Sequence, residues 1–186
     1  LLVLDCPALY HRRGGPYLDP DGRDWADNAL RFGLLSRVAA DLGTDAGPLD
    51  WRADVVHCNE WETGLAPAYL HYAPGARAAT MITVHNLAFQ GNFPPETLPA
   101  LGLPPSSYSI DGLEFHGKIS FLKAALRYAD AITTVSPTYA REIQSEPLGF
   151  GLHGVLAARR DALTGILNGI DTELWDPSTD ALIPQR

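Results

Sequence analysis

The chain has 186 residues, enough for one domain with a sizeable core, and its 46% hydrophobic and 19% charged residues are an ordinary globular balance. A formal net charge of −8 argues against nonspecific binding to nucleic acid or to an anionic membrane surface. No apolar run approaches the roughly 18 residues of a membrane-spanning helix, and the start lacks the basic and cleavage regions of a signal peptide.

In chain order, residues 1–4 (LLVL) read as a short buried strand. GGPYLDPDGRDW carries Gly, Pro and Asp at turn density and reads as loop. Asp19 and Asp21 inside it form Asp-x-Asp, a pattern able to hold a metal, but Pro-Asp-Gly is a turn signature that accounts for the same residues. DWADNALRFGLLSRVAADLG predicts a helix: Asp24 can cap it, Leu30, Leu34, Val38 and Leu42 recur every four residues, and Gly43 ends it. ADVVHC is a strand. EWETGLAPAYLHY is helical in pattern provided Pro67 lies in a first turn.

AATMITVHN is the next strand, followed by a long loop over 87–117 rich in Gly, Pro and Ser. KISFLKAALRYA is a helix whose Lys118 and Lys123 read as solvated surface residues, and DAITTVS is a strand. Ser136-Pro137 is a strong helix start, with a Ser cap and Pro at the first position. VLAARRDA is a further short helix, and LTGILNGID holds the last strand.

Strands that are nearly continuous apolar runs, alternating with helices, indicate an α/β fold: a Rossmann-like parallel sheet with helices on both faces. Ligands of such sheets bind at the carboxyl ends of the strands. The segments that matter are therefore DCP, HCNEW, VHN, TVSP and LNGID. The only cysteines, Cys6 and Cys58, read as buried thiols, which favours a cytosolic compartment.

Several motifs are decoys. GFGLHG fits G-x-G-x-x-G through Gly149, Gly151 and Gly154, but REIQSEPL before it is no strand, as a dinucleotide fingerprint requires. The six histidines include no H-E-x-x-H, and Cys58 has no C-x-x-C partner, so no metal site is expected. There is no G-x-S-x-G elbow and no phosphate-binding G-x-x-x-x-G-K loop.

What remains centres on His85, at the abrupt end of an apolar strand. Asn86 and Gln90 beside it offer amide groups suited to hydroxyl-rich ligands. Glu60 and Trp61 in NEWE pair a carboxylate with an aromatic ring, the polar and apolar walls that carbohydrate sites combine. Each of these residues, and Asn168 in LNGID, also reads singly as a strand end, a core residue or a turn.

Taken together, the strings resemble a known family. DCPALYHRRGGPY, WADNALRFGLLSR, DVVHCNEWETGLAPAYL, TVHNLAFQGNFP, GLEFHGKISFLKAALRYADAITTVSPTYAREI and ILNGIDTELWDPSTD run in the order found in the amino-terminal half of bacterial glycogen synthases and plant starch synthases. The resemblance implies a GT-B architecture of two Rossmann-like domains facing a cleft, and metal- and cofactor-independent transfer of glucose, with retention, from ADP-glucose to an α-1,4-glucan. It places His85 at the reaction centre, Asn86 on the glucan side, Asn168 toward the donor sugar, and Tyr17 and Trp61 along the acceptor path. The family commonly has Asp-Trp-His where this chain has Glu60-Trp61-Glu62. The implied organisation is an acceptor-side domain over 1–175 and the start of a linker over 176–186. The family's Lys-x-Gly-Gly loop and carboxyl domain are not in the sequence, so the chain reads as a fragment with little activity alone. A bacterial cytoplasmic setting is expected, or a plastid one in a plant. The alternatives are a non-catalytic glucan-binding module and a related transferase using another nucleotide sugar.

Overall fold

The computed structural model describes residues 1–45 and 47–184. In chain order the elements are α1 (Pro7–Tyr10), α2 (Asn28–Asp41), β1 (Val55–Asn59), α3 (Ala66–Tyr72), β2 (Ala79–Val84), β3 (Asn92–Phe93), α4 (Leu98–Leu101), β4 (Glu114–Phe115), β5 (Lys118–Ser120), α5 (Phe121–Tyr128), β6 (Ala131–Thr134), α6 (Pro137–Glu142), α7 (His153–Ala158) and β7 (Leu163–Gly165).

A four-stranded parallel sheet runs β1-β2-β6-β7. Because strand order follows chain order, right-handed crossovers bring successive connecting helices to one face. There α3 packs on α5 and α5 on α7. Val56, Cys58, Thr80, Ile82 and Val84 point into that layer, while Val55, His57 and Asn59 of β1 point out and are exposed. On this outer side His57 Nε2 lies 2.7 Å from Thr83 Oγ1, which lies 2.6 Å from Thr133 Oγ1. The core centres on fully buried Leu65, Leu70, Ile82, Phe121, Leu122 and Ile132.

The parallel sheet with flanking helices agrees with the sequence reading, as do the position of Pro67 in the first turn of α3 and the Ser136 cap, whose Oγ accepts the Tyr139 N–H at 2.9 Å. The Asp-x-Asp segment is a turn: Asp19 Oδ1 accepts the N–H groups of Asp21 and Arg23, each at 2.9 Å. GFGLHG follows α6 without an intervening strand; Gly149–Leu152 are loop and His153–Gly154 open α7.

Other expectations are corrected. Residues 1–4 form no strand, and Leu1, Leu2 and Val3 are exposed; apolar side chains do not make a strand without a neighbour to complete its backbone hydrogen bonds. The start of α2 is not capped by Asp24. Asp27 stands at the cap position, and its carboxylate pairs instead with Arg12 at 2.8 Å and 3.0 Å. The buried face of α2 is Ala29, Phe32, Gly33, Ser36 and Ala40 rather than the leucine stripe, and Leu30 is 39% exposed. Close packing decides this, since a Cβ on Gly33 would collide with Leu101 of α4. The stretch KIS is strand β5, not helix; Ser120 ends it and caps α5 by accepting the Lys123 N–H at 3.1 Å. The long loop after β2 contains β3, α4 and β4, and β3-β5-β4 form a small antiparallel sheet. Lys123 is 5% exposed, and its Nζ donates to the carbonyls of Ile110, at 2.7 Å, and Glu114. Burial pulls its ammonium below the ordinary lysine value. Cys58 is buried and Cys6 half-buried; both are free thiols. Residues 166–184 have no helix or strand, and 185–186, the end of the expected linker, lie outside the described residues.

Candidate active site

The carboxyl ends of β1 and β2 form the best-organised part of the rim. Asn59 closes β1, and its N–H and C=O both bond Thr63 Oγ1, each at 2.9 Å. Glu60 follows with φ 57° and ψ −174°, a conformation that costs a non-glycine residue about 1–3 kcal/mol. That turn sends the Glu60 side chain across to β2. Its Oε1 accepts the N–H of His85 and, at 2.9 Å, the N–H of Asn86, the first two amides past the strand. Burial pushes the Glu60 carboxyl up from its ordinary value, and the two backbone N–H groups pull the other way. Glu60 thus shapes the turn that presents His85.

His85 and Asn86 are exposed. The imidazole Nε2 lies 3.1 Å from Asn59 Oδ1. Asn86 Oδ1 accepts the Ala88 N–H at 3.1 Å, and Leu87 donates its N–H to the Tyr139 hydroxyl at 3.1 Å, so α6 holds the far end of the same turn.

Trp61 supplies an apolar wall. Its ring meets Phe32 edge-on at 4.6 Å and lies 5.8 Å from Phe93 and 6.0 Å from Tyr17, measured between centroids. Gly91, at φ 57°, is pressed against the indole, where any Cβ would collide. Tyr17 is 41% exposed and donates its hydroxyl proton to Glu62 Oε1 at 2.5 Å, a bond that with burial pushes the phenol up to about 12.

The Tyr17 loop is held from below by two residues that sequence reading passed over. Asn28 Nδ2 donates to the Tyr17 carbonyl at 2.9 Å, and Arg31 donates to Pro16 O at 2.7 Å, Leu9 O at 3.0 Å and Asn28 Oδ1 at 2.7 Å. Both are buried on the inner face of α2. The sequence held no clear signal for them, since the leucine spacing of α2 did not mark positions 28 and 31 as inward and arginine is rarely buried without partners.

The structure therefore joins Glu60 to the His85–Asn86 turn by hydrogen bonds and Trp61 to Tyr17 by ring packing, and the two groups are linked through the adjacent positions of Glu60 and Trp61 in the chain. Gln90 is part of neither. It is 8% exposed, its Nε2 donates to Leu87 O at 3.4 Å and Phe150 O at 3.0 Å, and its Oε1 accepts from Asn92, so its amide ties loops together. Asn168 is exposed, three residues past β7. β7 lies two ladder spacings from β2, about 10 Å across the sheet. Asn168 shares the rim with His85 by topology, without a contact between them.

An exposed imidazole beside amide groups, carboxylates and a stacked aromatic wall can bond hydroxyls on one side and cover a sugar face on the other. The sequence matches the starch synthase catalytic domain family over residues 1–158. The chain belongs to this family. It is 61% identical to the glycogen synthase of Nitrosomonas europaea over 186 residues, all of this chain and 38% of that protein. To the glycogen synthase of Dechloromonas aromatica it is 61% identical over 183 residues, 98% of this chain and 37% of that protein. The chain thus spans well under half the length of these curated relatives. Among solved structures it resembles the catalytic domain of starch synthase IV from Arabidopsis thaliana bound to ADP and acarbose, with TM-score 0.71 and 31% identity over 88% of this chain and 34% of that one. No helix among the described residues is long and apolar enough to cross a membrane.

Proposed function

We propose that this chain forms the acceptor-side half of a retaining glucosyltransferase that moves glucose from ADP-glucose to the non-reducing end of an α-1,4-glucan. The observation that carries this reading is the exposed His85 imidazole, fixed at the carboxyl end of a parallel strand beside the Trp61 wall, in a chain about 60% identical to glycogen synthases. The starch synthase IV structure, bound to ADP and acarbose, supports a nucleotide and a saccharide as the two ligands.

In this reading His85 bonds the transferring sugar and favours the charge that develops at its anomeric carbon. Asn86 meets the glucan, Tyr17 and Trp61 line its path, and Asn168 reaches toward the donor sugar. Glu60 acts through the His85 turn, since its Oε1 is taken by two backbone N–H groups. Stabilising the departing diphosphate is the larger electrostatic task, and it falls to groups beyond this rim, so the chain alone is expected to turn over slowly. A bacterial cytoplasmic setting is part of the proposal, supported by the bacterial relatives.

The test is glucose transfer to glycogen by the full-length protein with ADP-glucose against UDP-glucose. ADP-glucose should give the higher kcat/KM, and equal or better use of UDP-glucose overturns the donor assignment. His85→Ala should lower kcat on the order of 10²-fold or more with little change in glucan binding. Glucan binding with no turnover in the wild-type protein would make it a binding module instead.

A further inference from the structure

We propose that Asn59 is a positioning residue that holds the His85 ring as its Nε2–H tautomer and leaves Nδ1 as the acceptor that faces a ligand hydroxyl. The sugar as the owner of that hydroxyl rests on the glucosyltransferase reading; the tautomer itself does not.

The contact is Asn59 Oδ1 to His85 Nε2 at 3.1 Å. An amide oxygen can only accept, so the imidazole nitrogen facing it must donate, and in a neutral ring the proton then sits on Nε2 and leaves a lone pair on Nδ1. Nδ1 has no hydrogen-bond partner among the described residues, and His85 is exposed, so this lone pair is open to a ligand.

Asn59 is itself held firmly. Thr63 Oγ1 brackets its backbone on both sides, and its place in the ladder, beside Thr83 and two residues short of His85, aims the side chain at the ring. The next residue, Glu60, holds the backbone N–H groups of His85 and Asn86. Two consecutive residues at the end of β1 therefore fix the one histidine that follows β2: Asn59 its ring, Glu60 its main chain. An amide does this without placing a second charge beside the ring, so the imidazole keeps one open nitrogen for the ligand.

The assignment predicts how substitutions sort. Asp at 59 keeps the acceptor oxygen. Leu keeps the approximate size and removes it. The opposite arrangement, with the Asn59 amide nitrogen donating to Nε2 and the proton on Nδ1, makes the reverse prediction for Asp, which has no donor to offer.

The experiment labels the histidines of the full-length protein with 15N and reads the ring nitrogens in mildly alkaline buffer, the His85 signals being assigned by their loss in His85→Gln. The expected pattern is a protonated Nε2 and an unprotonated Nδ1, unchanged in Asn59→Asp and shifted toward a mixture of tautomers in Asn59→Leu. A protonated Nδ1 in the wild-type protein, or a reversed pattern in Asn59→Asp, overturns the proposal. In the glucose-transfer assay Asn59→Leu should lose on the order of 10²-fold in kcat with little change in the KM for glucan, as expected for a displaced ring, while Asn59→Asp retains most of the activity. An unchanged kcat in Asn59→Leu overturns the positioning role. If the wild-type protein transfers no glucose, the glucosyltransferase reading fails, and the ring pattern still decides the tautomer. Should Asn59→Leu not fold, the wild-type and Asn59→Asp spectra suffice.

Discussion

The carboxyl ends of β2 and β7 face the same rim but are built differently. Past β2, the His85 turn is tied by Glu60 to two of its amides, by Asn59 to its ring and by Tyr139 to the Leu87 N–H. Past β7, Ile166 makes one ladder bond to Thr134 O at 2.8 Å, and then Leu167 is 71% exposed and Asn168 stands in solvent. The first end is preorganised by three side chains from two other segments, the end of β1 and α6. The second is positioned mainly by its own short strand. Groups that must meet a transition state at fixed geometry gain most from such support, so under the proposed function the β2 end is the one expected to set the geometry of transfer.

The sharpest way to break the organised end is at Gly91. Gly91→Val forces a Cβ into the Trp61 ring at positive φ and should cost the full-length protein about 3 kcal/mol or more in denaturant unfolding. A loss near zero would show that Trp61 is free to move and is no fixed wall. Arg31→Leu, which strips the Pro16 and Leu9 carbonyls of their donor, should cost about 2–4 kcal/mol. It should also raise the KM for glucan more than it lowers kcat, because the Tyr17 loop loosens while the His85 turn stays tied. An equal fall in both would place Arg31 in the general scaffold alone.

The carboxylates of rim and foot offer a comparison by pH. Glu60 is held above its ordinary 4.5, so its native state keeps the proton longer. Its contribution to stability is complete below 4.5 and is lost as pH rises through the raised value. At the foot of the sheet, Arg77 and Thr80 pull Asp130 down to about 2, so its contribution is present above 3.8 and is lost as pH falls toward about 2. Glu60→Gln should therefore gain stability relative to wild type as pH rises from 4 toward neutrality, and Asp130→Asn should flatten the acid limb, both read by thermal unfolding over a pH series. Parallel pH curves for variant and wild type would remove the assigned role. The smallest effect belongs to the loose end. Asn168→Ala should change stability by no more than about 0.5 kcal/mol while slowing glucose transfer, and unimpaired transfer would take Asn168 out of the site.

Local patterns carried most of the fold. Apolar runs located β1, β2 and β6, the Ser-Pro pair located the start of α6, and the rule that ligands meet strand ends pointed to His85. The second sheet stayed hidden because two- and three-residue strands have no periodicity of their own. The leucine stripe of α2 misled because period alone cannot tell an inner face from an outer one; a close contact with Leu101 chose Gly33 and its neighbours instead.

For the site, the sequence by itself determined which residue types stand at the strand ends, and so which chemistry is available. Only the tertiary structure decided what each one touches. Glu60 reads as a sugar-gripping carboxylate until its positive-φ turn is seen to aim it at two backbone amides 25 and 26 residues away. Gln90 reads as a ligand-facing amide until the Phe150 carbonyl is found on it, 60 residues along the chain. Strand propensity and strand ends are properties of a few neighbouring residues. Hydrogen-bond partners are set by which distant segments the packed core brings within 3 Å, and no local pattern encodes that.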